Sequence, residues 1–177
     1  MDRALHCEGM QSAKSVIVGA QENAHLSAKI TIRDSTVCDV YALASNLRPA
    51  DRAEVEALGI SPRDGIRRSY RHAILRRTYL IDGEIAAMSG LCGAMLSDIG
   101  EPYLMTTPIA ATMPISFVKL ARDAVDEMLA QRMRLEGYVA ASYTGAIRLL
   151  DMLGFSLGEP RLIRNTPFRK YVRMRDL

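Results

Sequence analysis

Residues 136–142 read "EGYVAAS", and four positions later residues 146–156 read "AIRLLDMLGFS". The first run is a continuous apolar strand with no polar alternation. The second is amphipathic and stops on Gly154-Phe155. Glycine can close a helix in the left-handed conformation, and the following aromatic can then fold back onto the helix's apolar face. A buried strand feeding a capped helix commits this part of the chain to an α/β plan.

The segments before it extend the plan. "KITIRDS" alternates at period two, as a half-buried strand does, and Asp34-Ser35-Thr36 offers an N-cap for a helix carrying Val37, Val40, Tyr41 and Ala44 on one face. "NLRPADRAEVEALG" breaks at Pro49 and restarts as a short acidic helix ended by Gly59. "SPRDGIRRSYRHAIL" opens a basic helix with a serine cap and proline at the first helical position. "RRTYLID", Asp82-Gly83 and "EIAAMSGLCGAML" form a hairpin, because Asp-Gly supplies the positive φ angles of a two-residue turn. "YLMTT" is the next strand, and "MPISFVKLARDAVDEMLAQRM" is a helix with Phe117, Val118, Ala121, Val125, Met128 and Leu129 on one face. "GEPRLIRNTPFRKYVRMR" supplies a final strand pair turning near Asn165-Thr166-Pro167. Residues 1–28 lack periodicity and read as an extension; residues 29–177 read as one domain.

Composition narrows the function classes. A net charge of +3 over 177 residues does not describe a nucleic-acid binder as a whole. The charge is uneven, however: Arg63, Arg67, Arg68, Arg71, Arg76 and Arg77 face only Asp64 within their segment. That segment could attract phosphates, although it reads more simply as a solvated helical face. Cys7, Cys38 and Cys92 are far apart with no zinc-ligand spacing, which suits unpaired thiols in a reducing cytoplasm. The apolar run "SVIVGA" is far short of the roughly 20 residues that span a bilayer, so no membrane association is expected.

The element order, with "YVAAS" followed by Ala146, Leu149, Leu153, Gly154 and Phe155, resembles the GNAT superfamily of N-acetyltransferases. The resemblance implies a mixed sheet whose central parallel strands, "YLMTT" and "YVAAS", splay apart at their C-terminal ends and are flanked by helices. A narrower resemblance runs through "EPYLMTTP", "PISFVKLARDAVDEM" and Ile147-Arg148, and is to an acetyltransferase-like family of tailed bacteriophages that includes a podovirus internal virion protein. It implies an acetyl-CoA-dependent transfer to an amine of a protein or small molecule, with a phage or host protein as partner, in the host cytoplasm or the virion. The alternative is a catalytically degenerate fold serving as a virion or assembly component.

The resemblance also assigns residues. Met105, Thr106, Thr107, Ala110, Ala111, Thr112 and Ser116 fall where the superfamily cradles pantetheine and pyrophosphate. Glu101 falls where a general base could act through water, and Tyr143 is the neighbour able to protonate the thiolate. Two departures accompany these. The superfamily's glycine-rich turn is here "TTPIAATMPISF", with no glycine or arginine, and Leu150 occupies the position that often holds the acidic tyrosine.

Overall fold

The computed structural model describes residues 14–15 and 28–176; the rest of the expected extension lies outside the described residues. In chain order the elements are β1 (Lys14–Ser15), β2 (Ile30–Asp34), α1 (Val37–Ser45), α2 (Pro49–Ala57), α3 (Pro62–His72), β3 (Ala73–Ile81), β4 (Glu84–Cys92), β5 (Ile99–Thr106), a 3-10 turn (Pro108–Thr112), α4 (Pro114–Gln131), β6 (Arg134–Ala140), α5 (Thr144–Met152), β7 (Ser156–Ile163) and β8 (Thr166–Met174). They build an eight-stranded sheet in the order β1-β2-β3-β4-β5-β6-β8-β7. Every neighbouring pair is antiparallel except β5 and β6, which run parallel as expected.

Local chemistry explains the boundaries. Thr36 caps α1 in a capping box, its backbone N–H donating to Asp39 at 2.7 Å. Ser61 Oγ accepts from Asp64 N–H at 3.1 Å to start α3, with Pro62 in its first turn. Asp82 and Gly83 turn the β3–β4 hairpin with φ of 50° and 87°. Several boundaries shift from the sequence reading: β4 ends at Cys92, short of Leu96, and β5 already starts at Ile99, ahead of Tyr103. α3 stops at His72, and Ala73 to Leu75 join β3 because they pair with Leu91 and Cys92 across the sheet. The last hairpin turns at Arg164-Asn165, both at positive φ, so Thr166 and Pro167 already belong to β8.

The core lies on both faces of the sheet. α1 and α3 bury Val40, Leu43 and Ile66 against Met88 on one face. α4 and α5 bury Ala121, Ala124, Val125, Met128 and Leu153 against Tyr79, Leu91 and Leu135 on the other. The basic segment is partly engaged: Arg67 pairs with Asp64, Arg77 with Glu127, and Arg63 and Arg76 stack over Tyr41 and Tyr70. Cys38 is disulfide-bonded, which corrects the expectation of unpaired thiols; wide spacing in sequence carries no information on which sulfurs meet in space. Among the described residues no helix is long and apolar enough to cross a membrane.

Candidate active site

β5 and β6 stay together for only two residue pairs, Ile99 with Arg134 and Gly100 with Leu135. Beyond them the strands part, while β5 remains paired with β4 through Thr106 and β6 with β8 through Ala140. A side chain holds them apart. Tyr171 of β8 reaches across β6 at Gly137 and donates its hydroxyl proton to Pro102 O of β5 at 3.1 Å. A Cβ on Gly137 would overlap the Tyr171 hydroxyl, so only glycine lets the ring through.

The ring is anchored in turn by the Leu-Gly-Phe ending. Gly154, at φ 77°, closes α5 with its N–H donating to Asp151 O at 2.9 Å, and Phe155 N–H donates to Leu150 O at 3.0 Å. This paired geometry is a Schellman ending, and it drives Phe155 into the core. There its ring meets Tyr171 edge-on, with centroids 5.3 Å apart. The short amphipathic helix therefore braces the wedge that opens the sheet.

The opening is a cavity of about 560 Å³. Its walls come from β5, β6, α4 and α5, and are mainly apolar: Leu104, Ala121, Leu149 and Leu150 are among them. Pro102 O and Thr106 O both face the gap, the first toward Tyr171 and the second accepting from Arg48 N–H at 2.9 Å. By the alternation of an extended strand, the N–H and C=O of Leu104 share that edge.

The far mouth of the gap is spanned by α2. Asp51 accepts from Thr106 Oγ1, at the end of β5, at 2.5 Å. One turn on, Glu54 accepts from the N–H of Ala140, at the end of β6, at 2.6 Å. Each diverging strand is thus held by one carboxylate. Asp51 also accepts from Arg48 Nε at 3.2 Å and from the Tyr143 hydroxyl at 3.2 Å, and Arg48 donates to that same hydroxyl. Burial raises the carboxyl pKa of both Asp51 and Glu54, and the neighbouring Asp51 charge raises that of Glu54 further. Burial, with help from Asp51, pushes the Tyr143 phenol up to about 12, so it keeps its proton throughout the physiological range.

Of the residues expected at a site, Tyr143, Met105, Thr106, Ala110 and Ala111 line this cavity. Thr106 does so with its hydroxyl committed to Asp51. Thr107 is buried and donates to Ile85 O at 2.7 Å; Thr112 donates to Ile109 O at 2.7 Å; Ser116 is half-buried in the first turn of α4. Glu101 is exposed at the closed base of the splay, opposite Cys92. None of these four lines the cavity. Cys92 donates weakly to Ser69 O, and burial pushes its thiol up to about 11, the state of an inert packing residue.

Sequence reasoning missed Arg48, Asp51, Glu54 and Tyr171. A signal existed for two of them: Asp51 and Glu54 recur at i, i+3 with Val55 and Leu58, which places carboxylates on the same side of α2 as its apolar face. For Tyr171 the signal was faint, an aromatic in a strand register with Gly137.

No protein-family model matches the sequence, and no curated protein resembles it in sequence. Solved structures do resemble it in fold. A GNAT-family acetyltransferase from Streptococcus pneumoniae is 13% identical with a TM-score of 0.57, over 82% of this chain and 98% of that one. The structure of AAC(6')-Ib in complex with ribostamycin and coenzyme A is 16% identical with a TM-score of 0.62, over 82% and 93%. That of yncA from Salmonella typhimurium, with its cofactor acetyl-CoA, is 13% identical with a TM-score of 0.54, over 83% and 94%. The fold is that of the GNAT acyltransferases.

Proposed function

We propose that this chain, having the GNAT fold, is an acetyl-CoA-dependent N-acetyltransferase acting on an amine. The observation that carries the reading is the splayed β5–β6 pair, wedged open by Tyr171 over an apolar cavity. Acetyl-CoA would supply the acetyl group on a thioester. The edge of β5 fits it: Leu104 N–H faces the gap, where a donor fixed by its strand can polarise the thioester carbonyl at no cost in reorganisation. Met105, Thr106, Ala110 and Ala111 offer a narrow wall for the pantetheine arm. Tyr143 holds the proton that a departing thiolate needs, and the Arg48 cation beside it stabilises the phenolate left behind. Leu150 supplies apolar wall only.

The pyrophosphate end is poorer. Ala110 is buried against Ile81 and Ala86 where a cradle would be open, and Pro108 and Pro114 remove two backbone donors. That observation favours a second reading, in which a phage-type GNAT scaffold serves as a virion or assembly component.

Two measurements on the purified chain separate the readings. Coenzyme A in millimolar excess should raise the melting temperature, and acetyl-CoA with a primary amine should release free thiol. A flat melting curve together with no thiol release would overturn the enzyme reading and leave the scaffold.

A further inference from the structure

We infer that Glu54 is the group that receives the proton of the acceptor amine, and that the acceptor is a primary amine arriving as the ammonium ion through the α2 side of the gap. The inference rests on the acetyltransferase reading and adds to it a catalytic residue and an entry face. Three observations meet at Glu54. It lines the cavity at the mouth where the strands have parted, bonded to the last N–H of β6 at 2.6 Å. Among the described residues it has that one hydrogen bond and no ion pair, whereas Asp51 one turn earlier accepts on both oxygens, from Thr106, Arg48 and Tyr143. One carboxylate oxygen of Glu54 is thus left for a ligand. Its side of the cavity also carries Val55, Leu58 and Tyr138, walls suited to the carbon chain behind an ammonium group.

The surrounding charges agree with this role. The charged and titratable groups near Glu54 on the cavity wall are Arg48 and Asp51 at the start of α2, Tyr138 of β6, Tyr143 before α5 and Tyr171 of β8, with Tyr79 and Tyr103 deeper in. Burial raises the phenol pKa of Tyr79, Tyr103, Tyr143 and Tyr171, so these four keep their protons near pH 7. Arg48 is the one cation among the described lining residues, and it is turned to Asp51 and Tyr143. An arriving ammonium therefore meets a carboxylate without a competing partner, in surroundings that already favour the protonated carboxyl.

The step balances as follows. The ammonium gives one proton to Glu54, and the neutral nitrogen forms a bond to the thioester carbon. The carbon–sulfur bond breaks, the thiolate takes the proton of Tyr143, and the second nitrogen proton restores that phenol as the amide forms. Glu54 then returns its proton to water.

The test uses the full chain with acetyl-CoA and phenethylamine as the acceptor probe, comparing wild type, Glu54→Gln and Glu54→Asp. Gln keeps an oxygen for the Ala140 N–H, so the fold and the coenzyme A melting shift should stay as in the wild type. Turnover should fall by about 10²–10⁴ for Gln and partly recover for Asp. The wild-type rate should rise with pH through the Glu54 ionisation, and that limb should vanish in Glu54→Gln. Independently of activity, carbon-13 NMR of the free protein should show the Glu54 carboxyl titrating above the ordinary glutamate range. Wild-type turnover with an unchanged rate and pH limb in Glu54→Gln overturns Glu54 alone. Coenzyme A binding without turnover of phenethylamine overturns the primary-amine acceptor. Neither binding nor turnover overturns the acetyltransferase reading, and Glu54's role with it.

Discussion

The two ends of the cavity are built from different materials. At the α2 end, Arg48, Asp51, Thr106 and Tyr143 form one hydrogen-bonded group, and the ends of β5 and β6 are each tied to a carboxylate. At the other, the turn into α4 is apolar, has no side-chain cap, and starts both its 3-10 turn and its helix with proline. On the acetyltransferase reading the polar group serves proton movement, while donors for an anionic cofactor tail are few, so binding strength would come mainly from the apolar walls.

The largest expected effect tests the polar end. Tyr143→Phe keeps the ring over Arg48 and removes only the hydroxyl, so acetyl transfer should fall by about 10²–10⁴ while coenzyme A binding is retained. An unchanged rate would take Tyr143 out of the chemistry and leave the group as a structural tie.

The next effect concerns what holds the two ends open. Gly137→Ala places a methyl where the Tyr171 hydroxyl lies, an overpacking that costs about 1–3 kcal/mol. At about 2–4 °C per kcal/mol for a chain of this size, calorimetry should record a lower melting temperature, with the double variant Gly137→Ala, Tyr171→Phe recovering part of it. No loss in the single variant would mean that Tyr171 is not a fixed wedge.

The smallest effect tests the poor end. Pro114→Ala returns one N–H to the first turn of α4, and coenzyme A should bind a few-fold more tightly in isothermal titration, corresponding to about 1 kcal/mol. Equal affinity would show that the cofactor tail does not use this turn, and would erase the contrast between the ends.

Much of this architecture was legible in the sequence because its signals are local. The Asp82-Gly83 turn, the Ser61 cap and the Leu-Gly-Phe ending each act within a few residues, and each forms as read. The parallel pairing and splay followed from the element order together with the resemblance. The polar end was less legible because it is assembled from distant parts: Asp51 meets Thr106 across 55 positions, and Glu54 meets Ala140 across 86. Glu54 and Ala140 carry no mutual signature in a single sequence, since a backbone N–H is available at almost every residue. Tyr171 was hidden for another reason: in its strand it looks like any β-forming aromatic, and only the absence of a side chain at Gly137 gives it a path.

The strand order β6-β8-β7 carries a consequence for biosynthesis. β8 is translated after both β6 and β7, yet it lies between them, and it brings Tyr171. During synthesis β1 to β5 can assemble as a meander with α1 to α3 laid against it, because each strand already has its neighbour. β6 has only its two pairs with β5, and β7 has none, until residues 166–174 leave the ribosome. One wall of the cavity and the wedge that opens it therefore arrive in a single late event, and a nascent chain stalled before β8 would expose the apolar strand β6 with neither of its uses fulfilled.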